Sequence, residues 1–176
     1  LLEKWLDIPD GVSVNGDWIA VSNHNRCSVF LYDRTCGLNS RSKPDGILRS
    51  LCYPHGLRFT SDGRFILVAD AGAPYVHIYG RGASGWRGVY QPLRSLRTVT
   101  NEEFLRGRTS VEEGGPKGID IDSSASILVT TCEAKPLAFF KLAEILDRLS
   151  PLSMRHNSDC SEAAVQRASR KDVEME

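Results

Sequence analysis

Net charge, paired cysteine motifs and long apolar runs are all missing from this sequence, and each absence removes a class of protein. Lysine plus arginine and aspartate plus glutamate number 22 each, so no bulk charge steers the chain toward nucleic acid or another polyanion. No stretch approaches the roughly 18 apolar residues of a membrane span, and the N-terminus lacks the basic, apolar and small-residue regions of a signal peptide. A membrane partner is therefore not expected. The five cysteines, Cys27, Cys36, Cys52, Cys132 and Cys160, contain no Cys-x-x-Cys pair and leave one thiol over in any disulfide scheme. A reducing, cytoplasmic setting is the simpler expectation. No Walker loop, dinucleotide fingerprint, zinc-ligand spacing or Gly-x-Ser-x-Gly elbow is present.

What the sequence does contain is a sentence written three times. Pro9-Asp10-Gly11, Pro54-His55-Gly56 and Pro116-Lys117-Gly118 each open an alternating segment, a tight turn and a second apolar segment. After the glycines, Val12 and Val14, Leu57 and Phe59, and Ile119 and Ile121 point one way, while Ser13, Arg58 and Asp120 point the other. That alternation predicts strands with one buried face. Asn15-Gly16 and Thr60-Ser61-Asp62-Gly63 supply the left-handed positions of hairpin turns. The third copy has Ser123-Ser124-Ala125 instead, so its turn must be of another type or strained.

The following segments, Trp18 to Val21, Phe65 to Ala69 and Ile127 to Val129, are apolar without alternation, which predicts strands covered on both faces. Third strands carry Val29 and Leu31, Val76 and Ile78, or Leu137 and Phe139. Outer fourth strands are expected at Gly46 to Leu51 and Leu96 to Val99, as edges guarded by Arg49, Arg94 and Arg97. Self-similarity of this kind predicts an all-β fold, a partial β-propeller of about three four-stranded blades. The blades fall near residues 8–51, 53–99 and 115–141, with an insertion at 81–114 that holds a Thr100-x-x-Glu103 capping box. The propeller domain spans 1–143. Residues 144–176 follow as a short helix, read from Leu142, Ile145, Leu146 and Leu149, and a disordered polar tail beyond Pro151. Propellers close with about 4–8 blades, and the first residue is Leu1 rather than methionine. Missing blades or self-association are thus expected.

Antiparallel pairing sets the start of each first strand beside the end of the second. Asp10 is expected near Asn23 and His24, His55 near Asp70, and Lys117 near Cys132 and Glu133. These residues form one polar ring, the ligand-binding candidate, at the mouth of a channel. Three other constellations have simpler readings. Asp122 beside Asp120 is a turn residue, Cys132 with His55 lacks any sign of a nucleophile–base contact, and Arg81 to Arg108 with Trp86 and Tyr90 is a solvated insertion rather than an RNA-stacking surface.

The run from Pro54 to Asp70 resembles a blade of the NHL and YVTN-type propellers, and Asn23-His24-Asn25-Arg26-Cys27-Ser28-Val29-Phe30 is similar to the segment after which NHL repeats are named. The resemblance covers roughly Ile8 to Lys141. It implies a fold shared by binding scaffolds, lyases and lactonases. Gluconolactonase-type propellers hold a divalent cation in the channel, partly at the middle residue of a repeat start. Here those positions are Asp10, His55 and Lys117, and a lysine ammonium repels a cation, so no cofactor is expected. Propellers of the 6-phosphogluconolactonase type are metal-free and use basic and histidine side chains, which suits His55 and Lys117 better. The expectation is a binding module for a small polar or anionic ligand or a protein partner. The alternative is a sugar-lactone hydrolase in which His55 is the catalytic base and Lys117 steers an anionic substrate.

Overall fold

The computed structural model describes residues 4–108 and 110–149. The expected tail from Pro151 lies outside the described residues. The chain divides into one unit, Leu1–Phe140, and a second that begins at Lys141. The second carries the helix Leu142–Asp147, close to where the leucine and isoleucine spacing put it. No helix among the described residues is long and apolar enough to cross a membrane.

The first unit is built from three sheets. In the first, β1 (Pro9–Asn15), β2 (Trp18–Asn23), β3 (Ser28–Asp33) and β4 (Gly46–Leu48) follow as antiparallel neighbours. The second contains β5 (Pro54–Phe59), β6 (Phe65–Asp70) and β7 (Tyr75–Gly80). Two strands come from the insertion. The three-residue β8 (Gly88–Tyr90) adds in parallel to β4, and β9 (Arg94–Arg97) adds antiparallel to β7. The third sheet has β10 (Gly118–Ile121), β11 (Ile127–Thr131) and β12 (Ala138–Lys141). The fold is all-β, as expected, with two short helices.

Each repeat start does the work its residues suggest. Gly16 and Gly63 take positive φ, 53° and 66°, in the first two hairpin turns, where a glycine has no Cβ to clash. In the third turn Ala125 takes the same conformation at φ 53°. Asp122 compensates there by accepting backbone hydrogen bonds from Ser126 (2.8 Å) and Ile127 (2.7 Å), which confirms it as a turn residue.

One face of the first sheet, with Ala20, Val29, Leu31 and Leu48, packs on the face of the second bearing Leu57, Phe59, Ile66 and Val68. Trp86 from the insertion closes this core, its ring 5.9 Å from that of Phe59. Each fully buried leucine or isoleucine here contributes about 1.5–3 kcal/mol of burial free energy. At the narrow side β5 runs between β1 and β10. The glycines of the first two Pro-x-Gly segments, Gly11 and Gly56, are what permit this. A Cβ on Gly56 would sit 2.7 Å from the carbonyl oxygen of Lys117, and one on Gly11 would come closer still to that of His55.

Several expectations need correction. The fourth strands are Gly46–Leu48 and Arg94–Arg97, shorter than or two residues ahead of the predicted spans. Arg49 does not guard an edge, because β8 covers β4 and the Arg49 amide donates to Tyr90 O at 3.0 Å. The edge role holds for Arg94 and Arg97 on β9. The middle strand of the third sheet is not covered on both faces: Ile127 is 45% exposed, and Leu137 and Phe139 are exposed as well. No fourth strand joins that sheet among the described residues. The capping box forms as predicted at the helix α1 (Asn101–Arg106), with Glu103 N donating to Thr100 Oγ1 at 3.1 Å and Thr100 N donating to the Glu103 carboxylate at 2.7 Å.

Candidate functional site

The repeat starts bring Asp10 at the head of β1, His55 at the head of β5 and Lys117 just before β10 to one end of the three sheets. His24 joins them from the turn after β2. One donor atom each from Asp10, His24 and His55 lies within 4.8 Å of the others. At the centre sits Glu113, whose Oε1 is 3.1 Å from His24 Nε2 and 3.4 Å from His55 Nε2, while its Oε2 is 2.6 Å from Lys117 Nζ. On the far side of its ring, His55 Nδ1 donates to the Asp10 carboxylate. The ring of His24 stands edge-on to His55 at 5.1 Å and tilts against Tyr53 at 4.8 Å.

Burial grades outward through this cluster. The side chains of Glu113 and both histidines are about one-sixth exposed or less, at 15%, 16% and 16%, whereas Asp10 and Lys117 are 39% and 42% exposed. A half-buried carboxylate is thus wrapped by nitrogen donors and rimmed by solvent-facing charges. Burial acts to raise the Glu113 carboxyl, but hydrogen bonds from Lys117 and His55 outweigh it and hold it below the ordinary value. Glu113 is therefore ionised at neutral pH.

Not every expected member reaches the cluster. Asp70 is the backbone partner of Pro54, yet its carboxylate does not bond to His55. It is 1% exposed and accepts from the amides of Cys52 (2.8 Å), Tyr53 (2.9 Å) and Gly72 (3.1 Å), with His77 Nε2 at 3.4 Å. It caps the loop leading into β5. Asn23 is fully buried and its Oδ1 accepts from Asp7 N at 2.9 Å, tying down the segment before β1. Glu133 is exposed and stands outside the cluster. Cys132 is buried against Lys135, its amide donating to the Lys135 carbonyl at 3.2 Å. It has no part in a dyad with His55, whose two ring nitrogens face Asp10 and Glu113.

Glu113 itself comes from the insertion rather than from a repeat. Gly114 and Gly115 place it, both amides donating to Ala71 O at 3.0 and 2.9 Å. Side chains at those two positions would collide with the carbonyls of Phe104 and Ala73. A glycine pair just ahead of a repeat start is a sequence sign of close backbone approach, and it was available in Glu112-Glu113-Gly114-Gly115-Pro116.

The residues present can hold a cation by chemistry as well as by proximity, since two imidazoles and two carboxylates face one another with a single ammonium at the rim. They can also orient an imidazole for proton transfer, with Asp10 fixing its tautomer.

No protein-family model matches the chain, and no curated protein matches it. Among solved structures, 338 chains match, so the fold is a widespread one and does not select an activity. One is hydrazine synthase from Kuenenia stuttgartiensis, similar at 17% identity with a TM-score of 0.54 over 77% of this chain and 34% of that chain. The match spans about a third of that chain, and at this identity the likeness is one of fold.

Proposed function

We propose that the three sheets are successive blades of a β-propeller arc and that the end bearing Asp10, His55 and Lys117 is a binding mouth for a small polar ligand or a protein partner. The convergence of these three repeat-start residues around Glu113 carries the proposal. Equivalent positions of successive blades meet on one axis only if the blades are arranged radially. Both flanks of the arc support it too. On the outer face of the first sheet Val12, Val14 and Val89 are exposed, and on the third sheet Ile127 and Phe139 are exposed. Such apolar flanks are what neighbouring blades cover.

The sugar-lactone hydrolase remains the second reading because Asp10 and His55 form an oriented carboxylate–imidazole pair. It stands behind the binding module because the ring's other nitrogen and Lys117 are both engaged by Glu113. The test is titration of the chain with sugar lactones, their phosphates and calcium, comparing wild type with His55→Ala and Lys117→Ala. Saturable binding without turnover, weakened by both changes, is expected. Lactone turnover lost in both variants favours the hydrolase, and tight calcium binding that survives both changes overturns the mouth as proposed.

A further inference from the structure

We infer that the outer face of the first sheet holds a second binding site, a pocket beneath Trp5 that takes a small aromatic carboxylate. The site lies apart from the mouth and does not depend on it. Alternation along β3 sends Val29 and Leu31 into the core shared with the second sheet, which leaves Ser28 and Phe30 on the opposite face. Ile47, the partner of Phe30 on β4, shares that face, and Arg49 follows it by two residues. The segment before β1 crosses over them and packs Trp5 against the cluster of Val21, Phe30 and Tyr32. Three hydrogen bonds hold the segment there: Lys4 N to Ser40 O at 3.3 Å, Asp7 N to Asn23 Oδ1 at 2.9 Å and His24 N to Ile8 O at 3.0 Å. Between segment and sheet lies a cavity of about 340 Å³, with Trp5, Phe30, Pro44 and Ile47 as its apolar walls.

The polar side chains of this cavity can all donate. Ser28 is 1% exposed, and neither its hydroxyl nor the buried indole N–H of Trp5 has a hydrogen-bond partner among the described residues. Buried polar groups are rarely left in that state, and two of them on one cavity point to a ligand that brings acceptors. Arg26, from the turn between β2 and β3, and Arg49 add two guanidinium groups. The arginine salt bridges among the described residues belong to Arg58, Arg64 and Arg87, so Arg26 and Arg49 have no carboxylate partner there. No carboxylate or amide side chain among the described residues lines the cavity.

These features choose the ligand. A sugar or an amine brings donors of its own, which a lining of donors serves badly. A carboxylate brings only acceptors, and the planar guanidinium matches it with two parallel hydrogen bonds. The apolar walls, two of them aromatic, suit a flat hydrophobic body behind the charge rather than a bare ion. Lys4 adds a further positive charge over the roof, its Nζ 5.8 Å from the Trp5 ring centroid. The backbone of Arg49 is pinned on both sides, its amide donating to Tyr90 O at 3.0 Å and its carbonyl accepting from the Tyr79 hydroxyl at 2.6 Å. One guanidinium is thus carried on a fixed stem.

Calorimetric titration of the whole chain with benzoate tests this, with benzyl alcohol and inorganic phosphate alongside. One benzoate per chain is expected, with affinity falling about 10-fold or more in Arg26→Met and in Arg49→Met and about 2–10-fold in Ser28→Ala. Absence of saturable benzoate binding by the wild type, or binding unchanged in both arginine variants, overturns the site. Benzyl alcohol bound as tightly as benzoate overturns the requirement for an anion, and phosphate bound as tightly overturns the aromatic body. Should the variants fail to fold, NMR of the wild type decides: benzoate should shift the indole N–H of Trp5 and leave those of Trp18 and Trp86 in place, and the reverse pattern overturns the proposal. Benzoate binding lost in His55→Ala or Lys117→Ala but kept in the arginine variants belongs to the mouth, which overturns this site and leaves the mouth standing. Benzoate held by Arg26 and Arg49, with no ligand or partner at the mouth, does the opposite.

Discussion

The amide of Gly56 donates to the carbonyl of Lys117 at 3.0 Å, a backbone hydrogen bond that joins the first strand of one sheet to the residue leading into the next. Such contact demands that nothing stand between the strands, and a Cβ at Gly56 would lie 2.7 Å from that carbonyl and 2.9 Å from Ile119 Cγ2. Because the opposing atoms include backbone, the neighbour cannot rotate away. Gly56→Ala is expected to destabilise the fold by about 1–3 kcal/mol through overpacking. Its denaturation midpoint, set against the same change at Gly16, where nothing lies within 4 Å but φ is +53°, separates collision from backbone strain. An unchanged midpoint for Gly56→Ala would mean the sheets do not approach as described.

The third hairpin offers the converse. Ala125 holds φ 53° with a Cβ, a conformation that costs an ordinary L-residue about 1–2 kcal/mol. Ala125→Gly is expected to stabilise the protein by about 1 kcal/mol, the relief of that strain less the entropy glycine adds to the unfolded chain. Differential scanning calorimetry checks the sign, and a lower melting temperature would argue against strain at this turn.

The exposed apolar flanks make an association prediction. Val12 and Val14 at one end and Ile127 and Phe139 at the other give two faces that water disfavours. Sedimentation should show concentration-dependent association, reduced by the double change Val12→Lys with Val14→Lys. A monodisperse, cooperatively unfolding monomer across the concentration range would count against it.

The three sheets were legible because their code is local. Turn residues mark reversals, and the strands of the first two sheets fall within a few residues of the expected spans; alternation named the buried face at Leu57 and Phe59 but not in β1, where Val12 and Val14 are exposed. The third sheet was over-read, since Ile127 to Val129 is apolar enough to suggest two covered faces, yet only the side bearing Leu128 is buried. In the site, strand pairing identified the neighbours of the backbone but not the direction of side chains. Pro54 does pair with Asp70, but the register shifts between Pro54 and Leu57, and the aspartate turns to the amides of Cys52 and Tyr53. Glu113 escaped notice because it lies in no repeat. Only the packing of the two following glycines against Ala71 brings it to the cluster.

Glu113 also sets the expected pH response. Its carboxyl is held below the ordinary value in the folded protein, where hydrogen bonds from Lys117 and His55 overcome the opposing effect of burial. A carboxylate so placed adds stability at pH values above its unfolded-state pKa of about 4.3, and that increment disappears as pH falls through the lower, folded value. Glu113→Gln keeps the shape and one acceptor but removes the charge, so at pH 7 it should cost about 1–2 kcal/mol, the difference between charged and neutral hydrogen bonds. The gap between wild type and variant should close progressively as the pH falls below the unfolded-state carboxylate value. Urea melts at pH 7, 5 and 3 measure it directly. A gap that persists at pH 3, or widens, would show that Glu113 acts through its packing rather than its charge, and the internal anion at the centre of the cluster would have to be abandoned.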